Sequence, residues 1–285
     1  MNTKKIVAFG EIVWDVFRDG SRLGGAPLNF TYYCLKNACE AKIISAIGRD
    51  ELGAETLSQM EKFSIPADFV QISDTYPSGK VMVSVDEKGL ASYEICSPSA
   101  WDYIANSPDT HKFLSQADAF VFGSLAQRNA YSRRSLFEFI GILPPSCLKV
   151  FDVNLRQNFY TEEILEKSMK VSNIVKLNDE EIVKISEMFG VDGSESERAQ
   201  RIFKLFNLDY LILTLGPRGH LIVSDGEVLQ SPAVDALVVD TVGAGDSFTA
   251  TFISCLLNSK SLREASDEAA KMAAKVCSYK GALIP

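Results

Sequence analysis

The segment Asp240-Thr241-Val242-Gly243-Ala244-Gly245-Asp246-Ser247-Phe248 places two glycines and two aspartates ahead of an apolar run from Phe248 to Leu257. The run predicts a buried helix, and glycines at its start leave backbone N–H groups facing outward with room for an anion. A phosphate bound there would also meet the positive end of the helix dipole. Asp246, just inside the turn, would stand within reach of a group transferred from that phosphate. An anion hole beside a carboxylate suits phosphoryl transfer, with donors for the developing charge and an acceptor for the attacking hydroxyl's proton. The same residues also fit a simpler pattern, a glycine turn whose aspartate caps a helix.

Other polar residues follow apolar stretches. Asp15 comes after Ile6-Val7-Ala8-Phe9, and Asp152, Asn154 and Arg156 alternate after Val150-Phe151. In an extended segment alternate residues share one face, so these three are expected to look into one cleft. Arg156 offers a fork of donors suited to sugar hydroxyls or phosphate oxygens; the alternative is a solvated loop with one ion pair. Asn178-Asp179-Glu180-Glu181 opens a helix in which Asn178 and Glu181 form a capping box. The chemical alternative is an acidic turn that holds a water-coated Mg²⁺ beside a triphosphate. Thr214-Leu215-Gly216-Pro217-Arg218-Gly219 ends a strand in a turn that could admit nucleotide phosphates or serve as a turn alone. A Walker A loop and a G-x-G-x-x-G fingerprint are both absent.

These residues need a scaffold, and its rhythm is readable. Buried strands are predicted over 6–9, 41–47, 119–122, 148–153, 174–177, 210–215 and 220–224. Helices are predicted over 27–37, 50–63, 131–142, 161–169, 179–189, 194–206, 244–257 and 262–279, with Pro27 in a first turn and Asp50 as an N-cap. Strands alternating with helices imply an α/β fold, a doubly wound, mostly parallel sheet flanked by helices. Its ligands belong beyond the carboxyl ends of the strands. The rhythm breaks between Phe69 and Ile95, where 81–85 and 91–95, joined by Asp86-Glu87-Lys88-Gly89, predict a β-hairpin able to act as a flap.

Composition narrows the chemistry further. The chain has 285 residues, 46 % of them hydrophobic, and a net charge of -8. That charge, with no dense basic block, argues against nucleic acid as a partner but not against a nucleotide. No apolar run reaches the length of a membrane span, and 1–9 lacks the features of a signal peptide. Six scattered cysteines without a C-x-x-C pair predict reduced core residues and a cytoplasmic location. With His111 and His220 the only histidines, neither a zinc site nor a Ser-His-Asp triad is favoured.

Taken together and in order, these pieces resemble the PfkB (ribokinase-like) family of carbohydrate kinases, and within it the fructokinases. The resemblance spans essentially the whole chain. It rests on Gly10-Glu11 with Asp15, on Gly24-Gly25-Ala26-Pro27-Leu28-Asn29, and on Ile47-Gly48-Arg49-Asp50 with Gly53. It continues through Asp152-Val153-Asn154-Leu155-Arg156, Asn178 with Glu181, Thr214-x-Gly216-x-x-Gly219, and Asp240 to Phe248. It implies one kinase domain over 1–285 with a small β lid formed by about 11–26 and 69–103. It makes Asp246 the general base, with the Gly243, Ala244 and Gly245 amides as its anion hole. Asp15, Gly25 and Asn29 become ligands of the sugar, and Arg156 a contact to sugar or transferred phosphate. Asn178 and Glu181 organise Mg²⁺ and phosphates, Glu181 through water, while Thr214, Gly216 and Gly219 line the ATP site. K⁺ is expected near Asp240 and Thr241.

The implied reaction is ATP-dependent phosphorylation of a hexose, fructose to fructose 6-phosphate. Kinases of the same family for 2-keto-3-deoxygluconate, ribose or a nucleoside are the alternatives, followed by a catalytically silent sugar-binding regulator. The expected state is a monomer or a homodimer through the lid. Two departures bear on the sugar. The stretch 93–102 lacks the arginine many fructokinases show there, and Asn158-Phe159-Tyr160 replaces their proline-leucine-tryptophan. Trp101 is left with two roles, stacking on a sugar or packing under the lid.

Overall fold

Lys5–Phe9 (β1) is almost wholly buried, with Val7 and Phe9 in one apolar core and Ile6 and Ala8 in another. A strand covered on both faces has no polar side to alternate with, as in parallel sheets sandwiched between helices. The computed structural model describes residues 3–18, 20–85 and 91–284. From β1 the chain forms a short antiparallel pair, Val13–Phe17 (β2) and Gly20–Gly24 (β3), before helix Ala26–Lys36 (α1). Strand Glu40–Gly48 (β4), helix Glu51–Lys62 (α2) and strand Val70–Ser73 (β5) follow. Gly79–Val85 (β6) pairs antiparallel with Ala91–Ile95 (β7). The turn expected at Asp86-Glu87-Lys88-Gly89 lies outside the described residues.

Helix Pro108–Leu114 (α3) leads into repeating units: Ala119–Gly123 (β8), Ala130–Ile140 (α4), Leu148–Asp152 (β9), Glu162–Lys170 (α5) and Ile174–Asn178 (β10). Two helices, Asp179–Met188 (α6) and Glu195–Leu205 (α7), precede Tyr210–Thr214 (β11), His220–Ser224 (β12) and Glu227–Ser231 (β13). The chain closes with Ala244–Leu257 (α8) and Leu262–Cys277 (α9).

Nine strands make one sheet in the order β13-β12-β11-β10-β9-β8-β1-β4-β5, in which only β12 runs opposite to the rest. Residues of α4, α5, α6 and α7 complete the core on one face, and residues of α1, α2, α8 and α9 the core on the other. A second sheet, β3-β2-β6-β7, is the small β lid. Residues 70–73, within the range expected for the lid, instead form the outer edge of the large sheet. The strands β2, β3, β5 and β13 and the helix α3 have no counterpart in the sequence reading. Each is four to seven residues long, and several strands are half-exposed, so they carry too little periodic pattern.

The lid joins the body through Asp50. Its carboxylate caps α2 by accepting from Gly53 N at 2.8 Å, and also accepts from Ser78 N at 2.8 Å and Ser78 Oγ at 2.7 Å. Partial burial works to raise its pKa, but the donors from Ser78 and Gly53 outweigh this and hold it below the usual range. A Cβ on Gly53 would fall 2.0 Å from the Gly48 carbonyl oxygen. Gly53→Ala should therefore cost about 1–3 kcal/mol through overpacking. Urea unfolding measures this as a lowered midpoint; an unchanged midpoint would contradict the tight junction.

Candidate active site

Strand order reverses where β1 lies between β4 and β8, and a doubly wound sheet opens its crevice at such a point. A cleft opens there, lined by Glu11, Pro27, Gly123, Asp152, Asn154 and Asp246 among others. Glu11 follows β1, and Gly123 and Asp152 end β8 and β9, so the strand ends supply most of its polar wall.

Helix α8 aims its N-terminus at the cleft. Gly243, its N-cap, has φ 81°, and a Cβ there would lie 2.8 Å from the Ala282 Cβ. Only glycine suits both the left-handed backbone and that approach. The first amides of a helix lack intrahelical acceptors. One of the three expected hole donors is already engaged, since Ala244 N donates to the Thr241 carbonyl at 3.2 Å.

The Asp246 carboxylate accepts from Asn29 Nδ2 at 2.8 Å, joining α8 to α1 across the cleft. Burial pushes its pKa up to about 6, and the neighbouring Asp152 adds to the rise; Asn29, Lys176 and Arg156 oppose it. Asn29 is positioned by the start of α1. Gly25, at φ 116°, packs so closely that a Cβ would sit 2.5 Å from the Glu11 carbonyl oxygen. Asp15 lies on the lid strand β2 opposite Arg22. Burial raises its pKa, while Arg156 and Arg22 lower it.

The expectation of an extended 152–156 segment does not hold. Strand β9 ends at Asp152, and Asn154 turns to φ 40°. Asp152 and Asn154 still line the cleft, whereas Arg156 is exposed and donates to the Leu155 carbonyl at 3.2 Å. The charge of Arg156 nonetheless acts on Glu11, Asp15 and Asp246.

One residue stands out that sequence reasoning did not single out. Lys176 Nζ donates to Asp152 Oδ1 at 3.1 Å, with both side chains 9 % exposed. A Cβ on Gly245 would lie 3.3 Å from that ammonium, which therefore sits against the start of α8. Burial opposes its charge, but Asp152, Glu181 and Asp246 together hold its pKa above the usual range. The available signal was a lysine inside the apolar strand Ile174-Val175-Lys176-Leu177. Glu11, of the Gly10-Glu11 pair, is a carboxylic acid 4 % exposed directly after a buried strand, and burial pushes its pKa up to about 7.

Asn178 and Thr214 are neighbours at the ends of β10 and β11. The capping box is present: Asn178 Oδ1 accepts from Glu181 N at 2.8 Å, and Glu181 Oε2 from Asn178 N at 2.9 Å. The other oxygen, Oε1, accepts from Leu155 N at 2.9 Å. Thr214 Oγ1 donates to the Leu177 carbonyl at 3.3 Å. Gly216 and Gly219 flank a single 3₁₀ turn, and a Cβ on Gly219 would fall 2.1 Å from the Ser231 carbonyl oxygen. Asp240 and the exposed Thr241 precede the α8 turn, and Asp240 accepts from Val242 N at 3.1 Å and Gly281 N at 2.9 Å. Among the described residues, no group of three or more His, Cys, Asp or Glu side chains is arranged to hold a metal ion. Trp101 is fully buried under the lid with the Arg128 guanidinium 4.0 Å above its ring, so packing is its role.

The model of the pfkB family carbohydrate kinases matches residues 1–285. The chain belongs to the pfkB family of carbohydrate kinases. It is a phosphotransferase with a sugar hydroxyl as acceptor. It is 26 % identical to a 2-dehydro-3-deoxygluconokinase of Dickeya dadantii, covering 100 % of this chain and 98 % of that one. It is also 26 % identical to a fructokinase of Klebsiella pneumoniae, covering 88 % and 84 %. A crystal structure of a sugar kinase from Pyrococcus horikoshii in complex with ATP superposes with a TM-score of 0.84 at 24 % identity, covering 97 % and 93 %. No helix among the described residues is long and apolar enough to cross a membrane.

Two outcomes follow from the charges. As a proton acceptor Asp246 would act only when ionised, so kcat/KM should fall on the acid side with a limb near 6, against the ordinary 3.8. A flat profile down to pH 4.5 or so would contradict the raised value. Lys176→Met leaves Asp152 buried without its cation and should cost about 3–5 kcal/mol in chemical denaturation. Adding Asp152→Asn should recover part of that loss; equal losses in the single and double variants would contradict the pairing.

Proposed function

We propose that this carbohydrate kinase transfers the γ-phosphoryl group of ATP to fructose, giving fructose 6-phosphate. The observation that carries the reading is the Asp246–Asn29 contact at the mouth of α8, where a carboxylate and the first amides of a helix border the cleft. Support for fructose comes from Asp152-Val153-Asn154-Leu155-Arg156, which resembles the fructokinase segment, and from the Klebsiella fructokinase.

In this reading Asn29 and Asp15 hold sugar hydroxyls, and the Gly25 main chain lies against the ring. Asp246 takes the proton from the attacking hydroxyl as its oxygen bonds to the γ-phosphorus and the bond to the bridging oxygen of ADP breaks. In a loose transition state that proton can leave late, so a carboxylate of modest basicity suffices. The amides at the start of α8 receive the charge on the phosphoryl oxygens, with Lys176 close by. Arg156 reaches the sugar or the transferred group from the rim. Thr214, Gly216 and Gly219 form the edge along which the nucleotide lies.

The donor chemistry near β10 fits Mg²⁺ through water. Both Glu181 oxygens accept main-chain hydrogen bonds and retain a further lone pair each for a metal-bound water, while Asn178 stands at the same turn. Bound there, Mg²⁺ would neutralise charge on the ATP phosphates. K⁺ beside Asp240 and Thr241 would draw on main-chain carbonyls, since both Asp240 oxygens accept amide hydrogen bonds. Closure of the small sheet would exclude water, the competing acceptor.

The test is sugar-dependent ADP release with Mg-ATP across fructose, ribose, 2-keto-3-deoxygluconate and a nucleoside, with the product identified. Fructose should give the highest kcat/KM and a 6-phosphate. A higher value for any other acceptor would reassign the substrate, and sugar binding without ADP release would favour a silent regulator.

A further inference from the structure

Strand β7 ends the small sheet, and the carbonyl of Tyr93 on it accepts from Gln157 Nε2 at 2.7 Å. An edge strand presents unpaired carbonyls, and here a side chain from the loop after β9 takes one of them. A second tie lies two residues on. The Phe159 ring stands 4.7 Å from the Arg128 guanidinium, and Arg128 bonds Asp102 and the Cys96 carbonyl in the segment that follows β7. Phe159 belongs to Asn158-Phe159-Tyr160, the stretch that departs from the fructokinase pattern. The far side of the loop is thus fastened to the lid.

Its near side is fastened to the body. Leu155 N donates to Glu181 Oε1 at 2.9 Å, at the turn that opens α6, and Ser124 Oγ donates to the Asn154 carbonyl at 3.3 Å. Arg156 therefore lies between a body anchor at Leu155 and a lid anchor at Gln157. Asn154 and Gln157 both take left-handed backbone, at φ 40° and 47°, and neither is glycine. A non-glycine residue stays there only when its surroundings over-determine it, and for the exposed Gln157 the Tyr93 carbonyl contributes that constraint. The Arg156 charge is felt by lid and body alike. Burial raises the pKa of Asp15 on lid strand β2 and of Asp246 in α8, and Arg156 opposes the rise in both.

We propose that Gln157 is a positioning residue that ties Arg156 to the lid, so that the placement of the lid over an acceptor sets where the Arg156 guanidinium stands at the rim of the cleft. The inference rests on the reading of Arg156 as a contact to the sugar or the transferred group, and deepens it. Leu155 and Gln157 are joined by at most about 7 Å of chain, so a shift of the Tyr93 carbonyl passes to Arg156 with little slack. Arg156 itself donates to the adjacent Leu155 carbonyl at 3.2 Å, a local bond that a phosphate or hydroxyl oxygen can replace.

Steady-state kinetics at saturating Mg-ATP test this on Gln157→Leu, Arg156→Ala and the double variant. The acceptor is whichever of fructose, ribose, 2-keto-3-deoxygluconate and a nucleoside gives the wild type its highest kcat/KM. Arg156→Ala should lower the acceptor kcat/KM by about 10–100-fold, the loss of a charged hydrogen bond. Gln157→Leu keeps the bulk of the side chain without its donor, and should lower kcat/KM by about tenfold with the urea midpoint unchanged. In the double variant the loss should match that of Arg156→Ala within about twofold, because Gln157 acts through the arginine. Losses that multiply, or a Gln157→Leu enzyme with wild-type kcat/KM, overturn the proposal and leave the reading of Arg156 in place. An Arg156→Ala enzyme with wild-type kcat/KM overturns that reading, and the proposal falls with it, as it does if the wild type releases ADP with none of the four acceptors. Should Gln157→Leu fail to fold, Gln157→Asn takes its place with the same expected outcomes, since asparagine suits a left-handed backbone and is a methylene shorter.

Discussion

In the proposed mechanism a base and the polyphosphate it acts beside share one helix start, and both carry negative charge. Asp246 sits among Asp152 and Glu11, and its pKa rises to about 6 as a result of burial and of Asp152. What keeps the carboxylate usable is a set of fixed opposing groups: the Asn29 amide, the Lys176 ammonium and the charge of Arg156. Lys176 bonds Asp152 and sits against Gly245, so one cation lies beside both the acidic wall and the start of α8. Such preorganised charge acts on a transition state without reorganising.

The rest of the scaffold holds that arrangement in place. The C-terminal segment straps the start of α8. Gly281 N bonds Asp240, Ala282 packs against Gly243, and the Tyr33 and Tyr32 hydroxyls donate to the carbonyls of Ala282 and Ile284. Those tyrosines belong to α1, the helix that carries Asn29, so one contact set fixes both partners of the Asp246–Asn29 pair. The lid is held on its own side by Asp50 and Ser78. Beneath it, Arg128 bonds Asp102 at 2.7 Å and the Cys96 carbonyl at 2.8 Å.

The parallel core was legible because its strands are continuous apolar runs and its helices carry clear caps. Asp50 and Asn178 cap as their sequence contexts predict. The edges were not legible, since short strands such as β2 and β13 depend on partners far along the chain. At the site, Asp246 and Asn29 were readable from their motifs, and the structure brings them into contact across 217 residues of sequence. Lys176 was hidden because a charged residue inside an apolar strand has no local rule to place it; its partner Asp152 lies on the adjacent strand. The 152–156 alternation misled, because Asn154 adopts a left-handed turn that no pattern of side-chain types announces.

The account stands on the Asp246 carboxylate as proton acceptor at the start of α8. Single-turnover phosphorylation by Asp246→Asn, with sugar and ATP binding measured in parallel, tests it most directly. The account predicts turnover lower by roughly 10²–10⁴ with both ligands still bound. Turnover near that of the wild type would contradict it.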